Sequence, residues 1–320
     1  MRAFSYERAQ GLTDAVGTSA CLIAGGTNLL DLMKLEVETP EALLDVTRIG
    51  LDRIEVQDNG LRIGALVSNS DCAADDRVRQ GWSVLSRAIL SGASPQLRNK
   101  ATTGGNLCQR TRCPYFMDNH SPCNKRQPGS GCAAIDGVNR NQAILGASDA
   151  CIATYPGDMA VALAALEAQV EITGPQGSRQ VSARDFHRLP GDDPSRDNVL
   201  EPGEVITGVT LPAPVKGRHI YRKVRERSSY AFALVSVAAV VRMEQGRIAH
   251  AQLAFGSLAH KPWTDPRIEA LLVGEQPGPA LFAKAAEMLL EDAQGRGGND
   301  FKIPLARRTL AAVLAEATGD

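Results

Sequence analysis

The chain has 320 residues, 43% of them hydrophobic, with 35 basic side chains against 36 acidic ones. That length suits two domains, and the near-cancelling charge argues against general nucleic-acid binding and against a charged interaction tail. No apolar run approaches membrane-spanning length, the longest being Ala231–Val241, and the opening MRAFSYERA lacks the charged, apolar, small-residue order of a secretory signal.

In chain order, the alternation in AFSYE predicts a short strand, followed by a weakly apolar helix over 10–16. Cys21–Ala24 predicts a buried strand running straight into Gly25-Gly26-Thr27-Asn28. Leu29, Leu30, Leu32 and Met33 then fall at helical spacing. A strand, a glycine turn and a helix start present free N–H groups at the positive end of a helix dipole, which favours phosphate. A plain turn is the other reading, since the run has neither G-x-G-x-x-G nor the Walker A lysine. EALLDVTRI, RIEVQ and LRIGALV predict three strands, the last two joined as a hairpin at Asp58-Asn59-Gly60. A helix capped by Ser70 or Asp71 follows, with Cys72 packed inside it, then a second helix over Val84–Ser91 that ends at Gly92. The first domain is thus expected to mix strands and helices without regular βαβ alternation.

The stretch Thr102–Asp158 differs in kind. It opens with TTGGN, closes with YPGDMA, and holds Cys108, Cys113, Cys123, Cys132 and Cys151, five of the seven cysteines. So long a loop without apolar periodicity is functional or disordered. The odd cysteine count fits a reducing folding environment better than a disulfide framework. The spacing Cys113-x9-Cys123-x8-Cys132-x18-Cys151 is too wide for the close pairs usual at zinc. It suits a cluster in which each thiolate meets a different iron. An iron–sulfur centre ranks first, zinc second and disulfides third, because the polar loop offers a free thiol little apolar material. Arg110, Arg112, Lys125, Arg126 and Arg140 crowd the same loop and are either counter-charges for such a centre or solvated surface cations.

Beyond the loop, Asp158–Val170 predicts a helix with Asp158 in its first turn, where a carboxylate suits the dipole. A hairpin follows (VEIT, GPQGS, RQVSA), then a soft linker over His187–Glu201, with the domain boundary after it. EVITGVTLP, RHIYRKVRE, ALVSVAAVVRM and GRIAHAQLAFG predict strands, the last two paired across Glu244–Gly246. Helices at Pro266–Leu271, Pro279–Asp292 and Leu305–Glu316 finish an α+β second domain. No nucleophile–base pair or H-E-x-x-H motif is found, and His120, His187, His219, His250 and His260 are scattered.

AGGTNLLDLMK (Ala24–Lys34), TTGGN, the aspartate of YPGDMA, and VITGVTLP followed by YRKVRER resemble the FAD-binding subunits of the xanthine dehydrogenase family of molybdenum hydroxylases along the whole chain. RTRCPY, PCNKR and PGSGCAA resemble the iron–sulfur insertion carried by some of its aldehyde-oxidising members. The resemblance implies an α+β fold: a two-part FAD-binding domain of the vanillyl-alcohol-oxidase type over 1–190 with the iron–sulfur loop at 107–157, a linker over 191–202, and a C-terminal α+β domain over 203–320. Ala24, Gly25, Gly26, Thr27, Asn28, Leu29 and Leu30 would form one turn at the FAD pyrophosphate. Thr102, Thr103, Gly105 and Asn106 would form the other, glycine letting the backbone N–H groups come close. Asp158 would accept hydrogen bonds from FAD, with Ile206 and Lys223 along the cofactor. Cys113, Cys123, Cys132 and Cys151 would hold a 4Fe–4S cluster that mainly braces its loop, and Cys108 would be a packing residue.

By the same resemblance, a large molybdenum cofactor subunit oxidises the substrate. A small 2Fe–2S subunit passes electrons to the FAD of this chain, and an external acceptor takes them away. A heterotrimer exported folded to the periplasm on a partner's signal is the expectation, the cytoplasm the alternative. A stand-alone flavin oxidase and a zinc-braced scaffold are the competing classes.

Overall fold

The computed structural model describes residues 1–319. Its first strands and helices alternate: β1 (Ser5–Arg8), α1 (Leu12–Ala15), β2 (Cys21–Ile23), α2 (Leu29–Lys34) and β3 (Ala42–Asp45) form a parallel sheet in the order β1-β3-β2. The strands and helices expected over this stretch are all present, and regular alternation is confined to it, so the first domain as a whole mixes the two as expected. The connecting helices span only one or two turns. Asp45 closes the sheet, accepting from the Thr47 N–H at 2.8 Å, the Thr47 hydroxyl at 2.6 Å, Arg8 Nε at 3.1 Å and the Tyr6 hydroxyl. These donors hold its carboxyl well below the usual range against the opposing effect of burial.

A second, five-stranded antiparallel sheet begins with the hairpin β4 (Ile54–Gln57) and β5 (Gly60–Gly64). Then come α3 (Asn69–Ala74), α4 (Asp76–Gly81), α5 (Ser83–Ser91), α6 (Pro95–Arg98), α7 (Thr103–Leu107), α8 (Pro114–Met117) and α9 (Asp158–Ala165). The single helix expected from Ser70 is two. Ser68 caps the first, accepting from the Asp71 N–H at 3.0 Å, and Asp75 breaks the run by capping the second through Arg77 and Val78. The expected Asp158–Val170 helix stops at Ala165, because Glu167 turns left-handed (φ 55°) and sends the chain into β6 (Gln169–Gly174). After β7 (Gly177–Ser182) and α10 (Ala183–Phe186) comes β8 (Val205–Leu211). The sequence reading gave β8 to the second domain, but it lies between β5 and β6 in the order β4-β5-β8-β6-β7. It therefore belongs to the first unit. Nor is His187–Glu201 a soft linker: Asp197 receives Lys125 Nζ at 2.5 Å and Arg110 Nε at 2.7 Å, and the Pro194 carbonyl takes Lys125 at 2.8 Å.

The second unit is an antiparallel sheet of β9 (Arg218–Val224), β10 (Val235–Glu244) and β11 (Arg247–Gly256), with α11 (Pro266–Leu272), α12 (Pro279–Leu289) and α13 (Lys302–Thr318). The run of β10 is apolar on both faces because both are buried. Ala238 and Val240 join the first unit's core with α5 and α9, while Val237, Ala239 and Val241 join a second core with α12 and α13. Strand β10 thus belongs to both cores, and Ala254 of β11 joins the first beside it.

Candidate functional site

A cavity of about 520 Å³ opens where the first unit meets β9. Thr27 and Asn28 stand on one wall, Gly105 and Asn106 on another, with Asp158 and Lys223 between them. The sequence therefore named residues from both glycine turns and from two distant segments that the fold brings together.

The two turns contribute differently. Gly26 adopts φ +70°, and a Cβ on Gly25 would lie 1.8 Å from the Lys100 carbonyl oxygen. Glycine is needed at both, once for conformation and once for close approach. Among the described residues, the N–H groups of Gly26, Thr27 and Asn28 donate to no other group of the chain. In the second turn the N–H groups of Thr103, Gly104, Gly105 and Asn106 already donate, to Val67 O, Ala65 O, Thr102 Oγ1 and Thr102 O. The expectation that both turns offer backbone donors is thus corrected. The first offers them, and the second, locked onto the end of β5, supplies shape.

The remaining expected residues support these turns from behind. Ala24 packs against a small core, Leu29 opens α2, and the Leu30 side chain lies under Gly26. Thr102 caps α7, and Thr103 is buried with its hydroxyl on Val67 O at 3.1 Å. Ile206, expected along the cofactor, is 6% exposed and sits in the first core behind Gly104. It does not line the cavity, because its strand lies inside the five-stranded sheet.

Asp158 is more than a helix-start carboxylate. It accepts from Lys223 Nζ at 2.7 Å and from the Tyr221 hydroxyl at 2.6 Å, tying β9 to α9. Burial raises its carboxyl pKa, and the Lys223 charge opposes that. Lys223 also donates to the Ser91 carbonyl at 3.3 Å. Arg98, Arg112 and Arg227 also line the cavity, with Asp31 and Glu226 among them. Tyr230 and Phe232 line its mouth, half exposed, with the Arg112 guanidinium over the Phe232 ring at 5.3 Å. Sequence reasoning missed Asn69, Arg98, Gln109, Tyr230 and Phe232 as cavity residues, and took Arg112 for a cation of the cysteine loop. The one available signal was the unpatterned run between the two strands, RERSSYAFA.

The cysteine loop has a core of its own, contrary to expectation. Cys113, Cys123 and Cys151 are buried with Leu32, Phe116, Ala134, Ile152 and Ala153, and Cys132 packs on them. Cys123 faces Cys132 across an antiparallel bridge, and all seven cysteines are free. The bond from Cys151, aided by N–H groups of Ile152, Ala134 and Ile135, pushes the Cys132 thiol pKa down. Burial raises that of Cys113, against N–H groups of Phe116 and Tyr115, and Gln142 Nε2 donates to its sulfur at 3.3 Å. Donors aimed at sulfur suit thiolates. Among the described residues no three His, Cys, Asp or Glu side chains form a group for one metal ion, whereas thiolates on separate irons stand wider apart. The basic residues mostly staple the loop: Arg126 holds the carbonyls of Tyr115, Phe116 and Ser121, and Arg140 pairs with Glu226. Cys108, expected as packing, is exposed.

The sequence profile described as FAD binding domain in molybdopterin dehydrogenase matches residues 1–214, and that of the CO dehydrogenase flavoprotein C-terminal domain matches 219–317. The gap between them falls between β8 and β9. The aldehyde oxidoreductase FAD-binding subunit PaoB of Escherichia coli (strain K12) is 54% identical over 99% of each chain. The carbon monoxide dehydrogenase medium chain of Afipia carboxidovorans is 26% identical over 98% of this chain and 96% of that one. Among solved structures, a chain of the Cu,Mo-CO dehydrogenase superposes with a TM-score of 0.78 at 25% identity, covering 99% of this chain and 98% of that one. A chain of quinoline 2-oxidoreductase from Pseudomonas putida 86 gives 0.76 at 25% identity with the same coverage.

Proposed function

The chain belongs to the FAD-binding medium subunits of the molybdenum hydroxylases, a family of oxidoreductases, and on that premise we propose that it is the flavin subunit of an aldehyde-oxidising complex. The 54% identity to an aldehyde oxidoreductase subunit supports the substrate class. The observation that carries the reading is the cavity itself: free N–H groups of Gly26–Asn28 on one wall, the fitted second turn on the other, and the Asp158–Lys223 pair and three arginines in its lining. Bound FAD supplies the acceptance of electrons from a 2Fe–2S partner subunit and their release to an external acceptor. The chain's own residues bind and orient it. Gly26–Asn28 offer donors to the pyrophosphate, Arg98, Arg112 and Arg227 offset its charge, and the Asp158–Lys223 pair fixes the wall formed by α9 and β9.

Cys113, Cys123, Cys132 and Cys151 share one small core, and the Gln142 amide donates to the Cys113 sulfur, which supports a 4Fe–4S cluster held by these four. The partners are a molybdenum cofactor subunit and a 2Fe–2S subunit in a heterotrimer. The compartment is the periplasm, reached by co-export, which cell fractionation tests.

The complex, purified without oxygen and given an aldehyde that it oxidises, should bleach its flavin absorbance. The Cys123→Ser complex should contain roughly four fewer iron atoms per FAD than the parent, as loss of one cubane requires. Flavin that aldehyde leaves oxidised would sink the functional reading. Unchanged iron would sink the cluster.

A further inference from the structure

Lys302, the first residue of α13, is fully buried, and its recorded partners are carbonyls, not carboxylates. Its ammonium donates to the carbonyls of Asn141 at 3.0 Å, Gln142 at 2.9 Å and Ser257 at 2.9 Å. Burial pushes the amine down to about 7. Three carbonyls for three N–H bonds act in the opposite sense and fit the charged form. Beside it, Asn299, also fully buried, donates to the Gln142 carbonyl at 3.3 Å and the Ala143 carbonyl at 2.9 Å, and accepts from the Arg296 N–H at 2.6 Å.

The segment so held is the return limb of the cysteine loop. Ile144 and Leu145 are already part of the second core, and the Ile144 carbonyl accepts from the Gln294 N–H at 2.8 Å. Gln142 has its backbone gripped by Lys302 and Asn299, while its side-chain amide reaches the other way, to the Cys113 sulfur at 3.3 Å. An amide N–H on a ligand sulfur favours the more negative, reduced state of an iron–sulfur centre and so raises its potential. The aim of that amide depends on where the Asn141–Gln142 backbone is held.

We propose that Lys302 is a positioning residue for the cysteine centre: it fixes the Asn141–Gln142 backbone so that the Gln142 amide addresses Cys113, placing one contact of the centre under the control of the second unit. The inference rests on the cluster reading given above. Within the first unit the segment is held by the Gln142 N–H on the Asn139 carbonyl at 2.9 Å, the Ala143 N–H on the Ile152 carbonyl at 2.8 Å and the Thr154 hydroxyl on the Asn141 carbonyl at 3.2 Å; to these the second unit adds its own grip on the Asn141 and Gln142 carbonyls, from α13 and the turn before it.

The test uses the whole complex and compares the parent with Gln142→Met, Lys302→Met and the double variant. Lys302→Gln, which keeps two donors, serves in place of Lys302→Met where the latter does not fold. Iron per FAD is measured first, then the reduction potential of the iron–sulfur signal of this subunit by titration followed by electron paramagnetic resonance. Gln142→Met should shift the signal to lower potential. Lys302→Met should shift it in the same direction, and the double variant should go no further than Gln142→Met. A Lys302 variant that melts earlier but titrates at the parent's potential overturns the proposal, leaving Lys302 a packing device. So does a double variant in which the two shifts add in full. A parent subunit without its own iron–sulfur signal removes the cluster reading and the inference together, whereas a normal signal unmoved by Lys302→Met removes the inference alone.

Discussion

At the residue scale, the Asp158–Lys223 pair is the feature with the largest stake. Its side chains are 10% and 3% exposed, so each charge depends on the other. Lys223→Met strands a buried carboxylate and should cost about 3–5 kcal/mol in chemical denaturation, the usual penalty for breaking a buried pair. Asp158→Asn with Lys223→Met should recover part of that loss while FAD affinity stays low. Full FAD binding by the double variant would show that the pair only packs. His187 makes a second prediction. Burial holds it down to about 4, and its ring bonds the Leu107 carbonyl at 2.9 Å as a neutral imidazole. An unfolded histidine protonates near 6.5. Its stabilising contribution is therefore complete above that pH and falls as the pH drops toward 4, by up to about 3 kcal/mol at 1.36 kcal/mol per unit. Denaturation midpoints between pH 7 and pH 4 should show this slope, and His187→Asn should flatten it.

At the scale of elements, the first glycine turn joins conformation to binding. Gly26→Ala must force a side chain into φ +70°, and Gly25→Ala places a methyl group on the Lys100 carbonyl. Both should lower FAD affinity at least tenfold in a fluorescence-quenching titration. Gly26→Ala should cost only about 1–2 kcal/mol of fold stability, the usual penalty for left-handed backbone. The turns, the hairpin at Asp58-Asn59-Gly60 and the long β10–β11 pair are legible in the sequence because a turn signature or a continuous apolar run marks each. What was not legible has physical causes. α9 is apolar all round, so only the left-handed Glu167 marks its end. β8 looks like the opening strand of a new domain until its partners are known, since pairing across sequence separations this long leaves no local trace. The charges that pin His187–Glu201 to the cysteine loop likewise belong to residues far apart in the chain.

At the scale of the molecule, the cysteine loop is held from three sides. Lys125 and Arg110 tie it to Asp197, Lys302 and Asn299 tie it to the second unit, and its own small core lies between. A loop so fastened is not organised by a cluster alone. Cys123→Ser should therefore open protease cleavage within 113–151 while the rest of the chain stays resistant and FAD remains bound. Loss of FAD together with general proteolysis would mean that the centre supports the whole first unit. The strand order β4-β5-β8-β6-β7 adds a matter of timing. The two hairpins of this sheet flank the cysteine loop in sequence, and only β8, the last of the five to leave the ribosome, can join them. Until it arrives β5 and β6 each keep an unpaired edge. The five-stranded sheet thus closes only after the whole of the cysteine loop has been made.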